Sequence, residues 1–232
     1  MLQNQYVIIV AGGQGVRMNS NVPKQFLLVN NLPVLMHSMQ AFYNYSSNCI
    51  QILVLPEAQM DNWKVLCEKY PIDIPFILVK GGETRYHSVK NGLKAIEDEN
   101  GLVGVHDAVR MLVSKEIISN SFNWAKINGS AVPYVHINDS IRIYKDNNSS
   151  VIDRNELIRI QTPQTYSVSL LKKAYQQEYK SSFTDDASLV ELLGVKIHLF
   201  KGDESNIKIT EPFDLLLAET ILQSRNTPTL PL

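Results

Sequence analysis

Arg17 and Lys24 stand at the end of, and just beyond, a glycine-rich stretch, Val10-Ala11-Gly12-Gly13-Gln14-Gly15-Val16-Arg17-Met18, that runs on to Pro23-Lys24-Gln25. Glycines let backbone N–H groups turn toward an anion, and two cations supply the charge to hold it. No Asp or Glu occurs from Met1 to Pro56, so no carboxylate in this part of the chain repels a polyphosphate. The residues exclude two commoner phosphate loops. A Walker A loop closes on Gly-Lys-Ser/Thr, whereas Lys24 follows Pro23 and precedes Gln25. A dinucleotide fingerprint needs a third glycine, where Met18 stands, and an acidic residue about twenty positions on. The first carboxylate here is Glu57. Glycine-rich turns also follow strands in α/β proteins that bind nothing, and this stretch alone leaves both readings open.

Two further groups have the types for the same chemistry. Gly81-Gly82-Glu83-Thr84-Arg85 permits close approach by a flat ligand, and Glu83 with the hydroxyl of Ser88 can read the edge of a base. In His106-Asp107-Ala108, Asp107 is the carboxylate placed to reach a ribose, a substrate hydroxyl or Mg²⁺. A strand-end Asp also serves as a simple cap or turn former. His106 reads as an orienting or packed residue, since a phosphoryl oxygen needs no deprotonation. Thr184-Asp185-Asp186 reads as an N-cap and acidic first turn of a helix through Leu193, not as a metal site.

These groups converge only if each follows a strand of one sheet. Tyr6–Val10, Ile50–Leu55, Phe76–Val79, Leu102–Val105 and Ala131–Val135 are short apolar runs of strand length. Helical stripes alternate with them: Leu35, Met39 and Phe42; Pro56 through Trp63 and Leu66; Val89, Leu93 and Ile96; and a helix that Ser114 can cap. Such βα alternation predicts one doubly wound, mainly parallel α/β sheet with helices on both faces and ligands at the carboxyl ends of its strands. After Pro133 the alternation breaks. Ser140–Tyr144, a turn cluster Lys145–Ser150, and Val151-Ile152 read as a hairpin poor in large core residues. A two-stranded ribbon is barely stable alone, so an arm over roughly 138–159 is expected to pack on a second subunit. One more strand, Val195–Phe200, and a helix, Pro212–Leu222, are expected, with residues 226–232 as a flexible tail and 1–225 as a single domain.

At 232 residues, 44% hydrophobic and 19% charged, the chain has the composition of a globular enzyme. A net charge of −1 provides no field to recruit nucleic acid or an anionic membrane. The apolar runs are too short to cross a bilayer, and no secretory signal is expected at the N-terminus. Cys49 and Cys67 lack metal-ligand spacing and are expected to be reduced, in a cytoplasmic protein.

The ordered set of motifs resembles the 2-C-methyl-D-erythritol 4-phosphate cytidylyltransferases of the non-mevalonate isoprenoid pathway, from Ile8 to Leu222. It comprises the glycine stretch with Pro23-Lys24-Gln25, Gly81-Gly82-x-x-Arg85-x-x-Ser88-Val89, and Val105-His106-Asp107-Ala108. Asp153-Arg154, Thr162-Pro163-Gln164, Thr184–Ser188 and Asn206-Ile207-Lys208-Ile209-Thr210 complete it. The first motif is shared by many sugar nucleotidyltransferases; the ordered set is highly specific.

The resemblance implies a glycosyltransferase A-like nucleotidyltransferase fold and transfer of CMP from CTP to a polyol phosphate. It implies that Arg17 and Lys24 neutralise the triphosphate and its transition state. Ala11, Gly12, Gly13, Gly15, Gly82, Glu83, Ser88, Asp107 and Ala108 would hold the nucleotide. Asp107, Arg110 and Thr162 would hold the acceptor, and Lys208 would steer its phosphate. Arg154 and Ser140 would reach the site from the other subunit of a homodimer. Mg²⁺ is the implied cofactor, held by the phosphates of CTP, with Asp107 as its one candidate protein ligand. Gly12-Gly13, where Ala-Gly is common, is also the form of the related ribitol-5-phosphate cytidylyltransferases, which supplies the alternative acceptor. Glu83 replaces a frequent Asp, Ser140 a commoner Thr, and Val109 and Met111 stand where Ala and Pro are common.

Overall fold

A computed structural model describes residues 3–13, 18 and 22–226. Gly15, Arg17 and residues 227–232 of the expected tail lie outside the described residues. In chain order the strands and helices are β1 (Gln5–Val10), β2 (Leu28–Val29), β3 (Leu32–Pro33), α1 (Val34–Tyr45), β4 (Ile50–Leu55), α2 (Met60–Lys69), β5 (Phe76–Lys80), α3 (Arg85–Lys94), β6 (Leu102–Asp107) and α4 (Lys115–Asn128). There follow β7 (Ser130–His136), β8 (Arg142–Lys145), β9 (Asn148–Val151), β10 (Ile158–Ile160), β11 (Gln164–Ser167), α5 (Val168–Ala174), α6 (Asp186–Glu191), β12 (Leu199–Lys201) and α7 (Pro212–Asn226).

The central sheet has eight strands in the order β10-β7-β11-β6-β1-β4-β5, with β12 also paired to β7. β5, β4, β1 and β6 are mutually parallel, and β12 runs parallel to β7. The strand order reverses between β1 and β6. In an open α/β sheet that reversal opens the ligand crevice beyond the carboxyl ends of the strands.

Alternation along β1 shows why helices cover both faces. Val7 and Ile9 join one buried cluster with Leu35, Phe42, Trp63 and Phe122 from α1, α2 and α4. Tyr6 and Ile8 point the other way, to Val89, Leu93, Leu171 and Val190 from α3, α5 and α6. Parallel strands buried on both faces read as continuous apolar runs, and those runs are what the sequence displays.

The second half departs from expectation in detail. Pro56 opens a 3-10 turn, Glu57–Gln59, and the α-helix starts only at Met60. β11 inserts antiparallel between β6 and β7, and β10 pairs antiparallel with β7; neither strand was expected. The last strand is the short β12, and α7 continues to Asn226, which was assigned to the tail. β8 and β9 form the hairpin, but its turn is only Asp146-Asn147, both at positive φ (52° and 59°). Asn148, Ser149 and Ser150, read as turn, belong to a strand.

Candidate active site

β6, β1, β4 and β5 lie side by side in that order, and the segments leaving β1, β5 and β6 enclose a pocket of about 310 Å³ at the β1/β6 crevice. Ala11, Gly12, Gly13, Lys24 and Gln25 form one wall. Gly82, Glu83, Thr84, Arg85 and Ser88 form a second, and Asp107, Val109 and Lys208 close it. An adjoining cavity of about 410 Å³ shares Gly12, Gly13, Gln25, Gly82 and Glu83 and opens between Pro23 and Pro56. A larger cavity, about 800 Å³, lies between α4 and β12 and touches none of the expected site residues.

The loops are built to stand open. A Cβ on Gly12 would meet only Ser88 Oγ, at 3.8 Å, and one on Gly13 only the Lys24 Cε, at 3.6 Å, both ordinary contacts. The protein's own packing therefore does not require glycine at either position. Gly82 differs, because a Cβ there would collide with His87. The Gly82 N–H donates to Ser88 Oγ at 3.1 Å, and that hydroxyl donates to the Thr84 carbonyl at 3.0 Å. Ser88 thus shapes the turn that presents Glu83. Gln25 is buried and donates to the Ala11 carbonyl at 2.9 Å, bracing the other wall.

Among the described residues three cations, Lys24, Arg85 and Lys208, line this space, and Asp107 meets the last two and, from beneath the pocket, Arg110. Its carboxylate lies 2.8 Å from Lys208 Nζ, 3.4 Å from Arg85 Nε and 3.9 Å from Arg110 Nε. Burial pushes the Asp107 carboxyl up, but the neighbouring Arg85, Lys208 and Arg110 outweigh it and hold the group well below the usual carboxylate range. Lys24 is buried, 8% exposed, and donates to the Ile209 carbonyl at 2.9 Å. Lys208 is the most open of the four, with 42% of its side chain exposed. Lys24 is not the water-facing surface residue that its type alone would suggest, whereas Lys208 is exposed but tied to Asp107. Arg110 donates to the carbonyls of Asn206 and Ile160 beneath the pocket.

A chain of hydrogen bonds fixes the end of β6. Thr162 Oγ1 accepts from the Asp107 N–H at 3.1 Å and lies 3.1 Å from His106 Nδ1, while His106 Nε2 lies 3.2 Å from the Arg110 carbonyl. A carbonyl only accepts, so Nε2 carries the proton and Thr162 donates to Nδ1. Burial pushes the imidazole down to about 4, and it packs edge-on against Phe42. His106 is a neutral brace, as its type and place implied. The Thr162 hydroxyl is occupied below the pocket rather than lining it.

Not every expected residue comes to this place. Ser140 and Arg154 sit on the exposed arm outside the pocket lining, with Arg154 donating to the Asn138 carbonyl. Ala108 is buried; its N–H donates to the Val10 carbonyl, which ties β6 to the glycine loop. Arg85 stands out in the sequence only as part of a motif; in the fold it lines the pocket, held by its partners Asp107 and Asp186. Asp185 caps α6, accepting from the Ser188 N–H at 3.0 Å. Asp186, read as part of the acidic first turn of a helix reaching Leu193, holds that place but is fully buried and 2.8 Å from Arg85, and α6 stops at Glu191.

The family described as IspD, 2-C-methyl-D-erythritol 4-phosphate cytidylyltransferase, matches residues 5–224. The chain is 48% identical to a protein of that name from Phocaeicola vulgatus, over 94% of this chain and 100% of the relative. It is 49% identical to one from Bacteroides thetaiotaomicron, over 94% and 99%. Among solved structures it is similar to 4-diphosphocytidyl-2C-methyl-D-erythritol synthase from Anaerococcus prevotii, with a TM-score of 0.80, 29% identity and coverage of 95% and 96%. The cytidylyltransferase from Thermus thermophilus gives 0.77, 28%, and coverage of 96% and 100%.

Proposed function

The chain belongs to the 2-C-methyl-D-erythritol 4-phosphate cytidylyltransferase family, and we propose that its cation-lined pocket is where this transfer takes place. The protein is a nucleotidyltransferase. It moves CMP from CTP to 2-C-methyl-D-erythritol 4-phosphate with release of pyrophosphate, giving 4-diphosphocytidyl-2-C-methyl-D-erythritol. The relatives carry this name and not that of a ribitol-5-phosphate enzyme.

In the proposed mechanism an oxygen of the acceptor phosphate attacks the α-phosphorus of CTP, and the bond to the β-phosphate oxygen breaks. The nucleophile is already deprotonated, so no general base is called for. Positioning and charge neutralisation carry the reaction. Lys24, with Arg17, neutralises the triphosphate and the growing charge of the transition state. The nucleotide lies along Ala11, Gly12, Gly13, Gly82, Glu83 and Ser88, with its base toward the adjoining cavity. Lys208 takes the acceptor phosphate, and Asp107 with Arg110 faces the acceptor's hydroxyl side. The single observation that carries this reading is the placement of Lys24, Lys208 and two glycine-rich walls around one space at the β1/β6 crevice.

Mg²⁺ fits this site only as an ion that arrives on the triphosphate. Asp107 already meets three cations, and among the described residues no group of three His, Cys, Asp or Glu is placed to hold a metal. On the phosphates the ion would neutralise charge on the leaving pyrophosphate.

The proposal extends to a homodimer through the 138–159 arm. Every residue of β8 and β9 is exposed, Tyr144 by 74% and Val151 by 76%, which supports a second chain as cover and would bring Arg154 and Ser140 to that chain's pocket. A cytoplasmic location is likewise proposed, supported by the free Cys49 and Cys67. Among the described residues no helix is long and apolar enough to cross a membrane.

The test is pyrophosphate release from CTP with each acceptor. Turnover should require 2-C-methyl-D-erythritol 4-phosphate; equal or higher kcat/KM with ribitol 5-phosphate would overturn the acceptor assignment.

A further inference from the structure

Asp186 lies outside the pocket lining, yet it is tied to the pocket's charged centre. Its carboxylate is wholly buried. One oxygen accepts from the Tyr175 hydroxyl and the other from Arg85 Nη2 at 2.8 Å. The backbone beneath it is clamped, because Gln164 Oε1 accepts from the N–H groups of both Asp186 and Ala187 at 3.1 and 3.0 Å. Tyr175 is fixed in turn by its ring stacked on Tyr86, 5.0 Å between centroids. Arg85 therefore has one end anchored in the core while its Nε faces Asp107 at 3.4 Å.

Asp107 has two kinds of partner. Arg85 and Arg110 are held from below by Asp186 and by backbone carbonyls, whereas Lys208 is half open to the space the acceptor would fill. An incoming phosphate competes with Asp107 for the Lys208 ammonium. When that ammonium turns away, the buried carboxylate loses its nearest cation, and a buried charge stripped of its partner is costly. A guanidinium that cannot swing away removes most of that cost.

We propose that Asp186 is a positioning residue for the transfer. By pinning Arg85 against Asp107, it keeps that carboxylate compensated and in place while Lys208 passes from Asp107 to the acceptor phosphate. The inference rests on the reading of Lys208 given above.

Asp186→Asn keeps the shape and removes the charge that pins Arg85. In steady-state kinetics, kcat/KM for 2-C-methyl-D-erythritol 4-phosphate should fall about tenfold, with KM for CTP within about twofold of the parent. Tyr175→Phe removes one hydrogen bond to Asp186 and keeps the stacked ring. It should give the same pattern at about threefold, which keeps the inference testable if the first variant fails to fold. The decisive comparison combines either change with Lys208→Ala. Without Lys208 there is no departure to compensate, so loosening Arg85 affects free enzyme and transition state alike and should add less than about twofold. Full multiplication of the two losses, or equal rises in KM for both substrates, would overturn the inference and leave Asp186 a stabiliser of the fold. An unchanged acceptor KM in Lys208→Ala alone would overturn the reading of Lys208, and the inference with it.

Discussion

Acidification should destabilise this protein through one buried imidazole. His106 titrates near its ordinary 6.5 in the unfolded chain but only at about 4 in the fold, because burial disfavours the cation and both ring nitrogens are occupied. Its folded value is depressed below that of the unfolded chain. Above about pH 6.5 both states are neutral and the group contributes nothing. Below it the unfolded chain takes a proton that the folded one refuses, and stability falls until the folded value is reached. Between about pH 7.5 and about pH 5 the loss comes to about 2 kcal/mol, close to 4–8 °C in Tm for a chain of this size. Urea melts at the two pH values, on the parent and on His106→Gln, isolate the effect, since the other titrating groups are common to both. The Gln amide can still donate to the Arg110 carbonyl and accept from Thr162. The parent should lose about 2 kcal/mol more than the variant. Equal losses would show that His106 takes up its proton within the fold and that the hydrogen-bond assignment around Thr162 is wrong.

Further outcomes follow from the other residues at the site. Lys24→Ala should lower kcat by about 10²- to 10³-fold, far more than it raises KM for CTP, because the role proposed for the ammonium is to meet charge that grows in the transition state; near-normal kcat in rapid assays would sink that role. Gly12→Ala should fold normally but bind CTP about tenfold more weakly, whereas Gly82→Ala should cost about 1–3 kcal/mol of stability through its clash with His87; thermal melts and KM values separate the two. Mixing inactive Arg154→Ala with inactive Lys24→Ala under conditions of subunit exchange should restore activity, since one site of each heterodimer then carries neither lesion. Demonstrated heterodimers without activity would mean that Arg154 does not act across the interface.

Legibility in the sequence followed burial. β1, β4 and β6 are interior strands covered on both faces, and their apolar runs were found within one or two residues, as was that of β5, a half-covered edge strand that is nonetheless apolar. β11, Gln-Thr-Tyr-Ser, is buried at its first three residues but spends its polar atoms internally, so no hydrophobic signal marked it. The arm failed in the opposite way: fully exposed strands need no apolar alternation, and Asn148–Ser150 looked like turn because nothing buries them. Among site residues, the glycine loops and Lys24 were legible from local spacing. Arg85 and Asp186 were not, because each is explained by a partner that lies 101 positions away in the chain.

The bond from Lys24 to the Ile209 carbonyl spans 185 positions. During synthesis the glycine loop leaves the ribosome early, but the group that seats its lysine is made near the end. At about 5–20 residues per second the nascent chain waits roughly 10–40 s between the two. Within that interval β4, β5 and β6 are completed and can pair with β1 and one another, yet Lys24 lacks its carbonyl and Lys208 does not exist. Ribosome-stalled chains ending before residue 206 should therefore be folded enough to resist protease in their parallel half and still be unable to turn over CTP. With the roles proposed for Lys24 and Lys208, catalytic competence would be a terminal event of translation, acquired when the 206–210 segment docks.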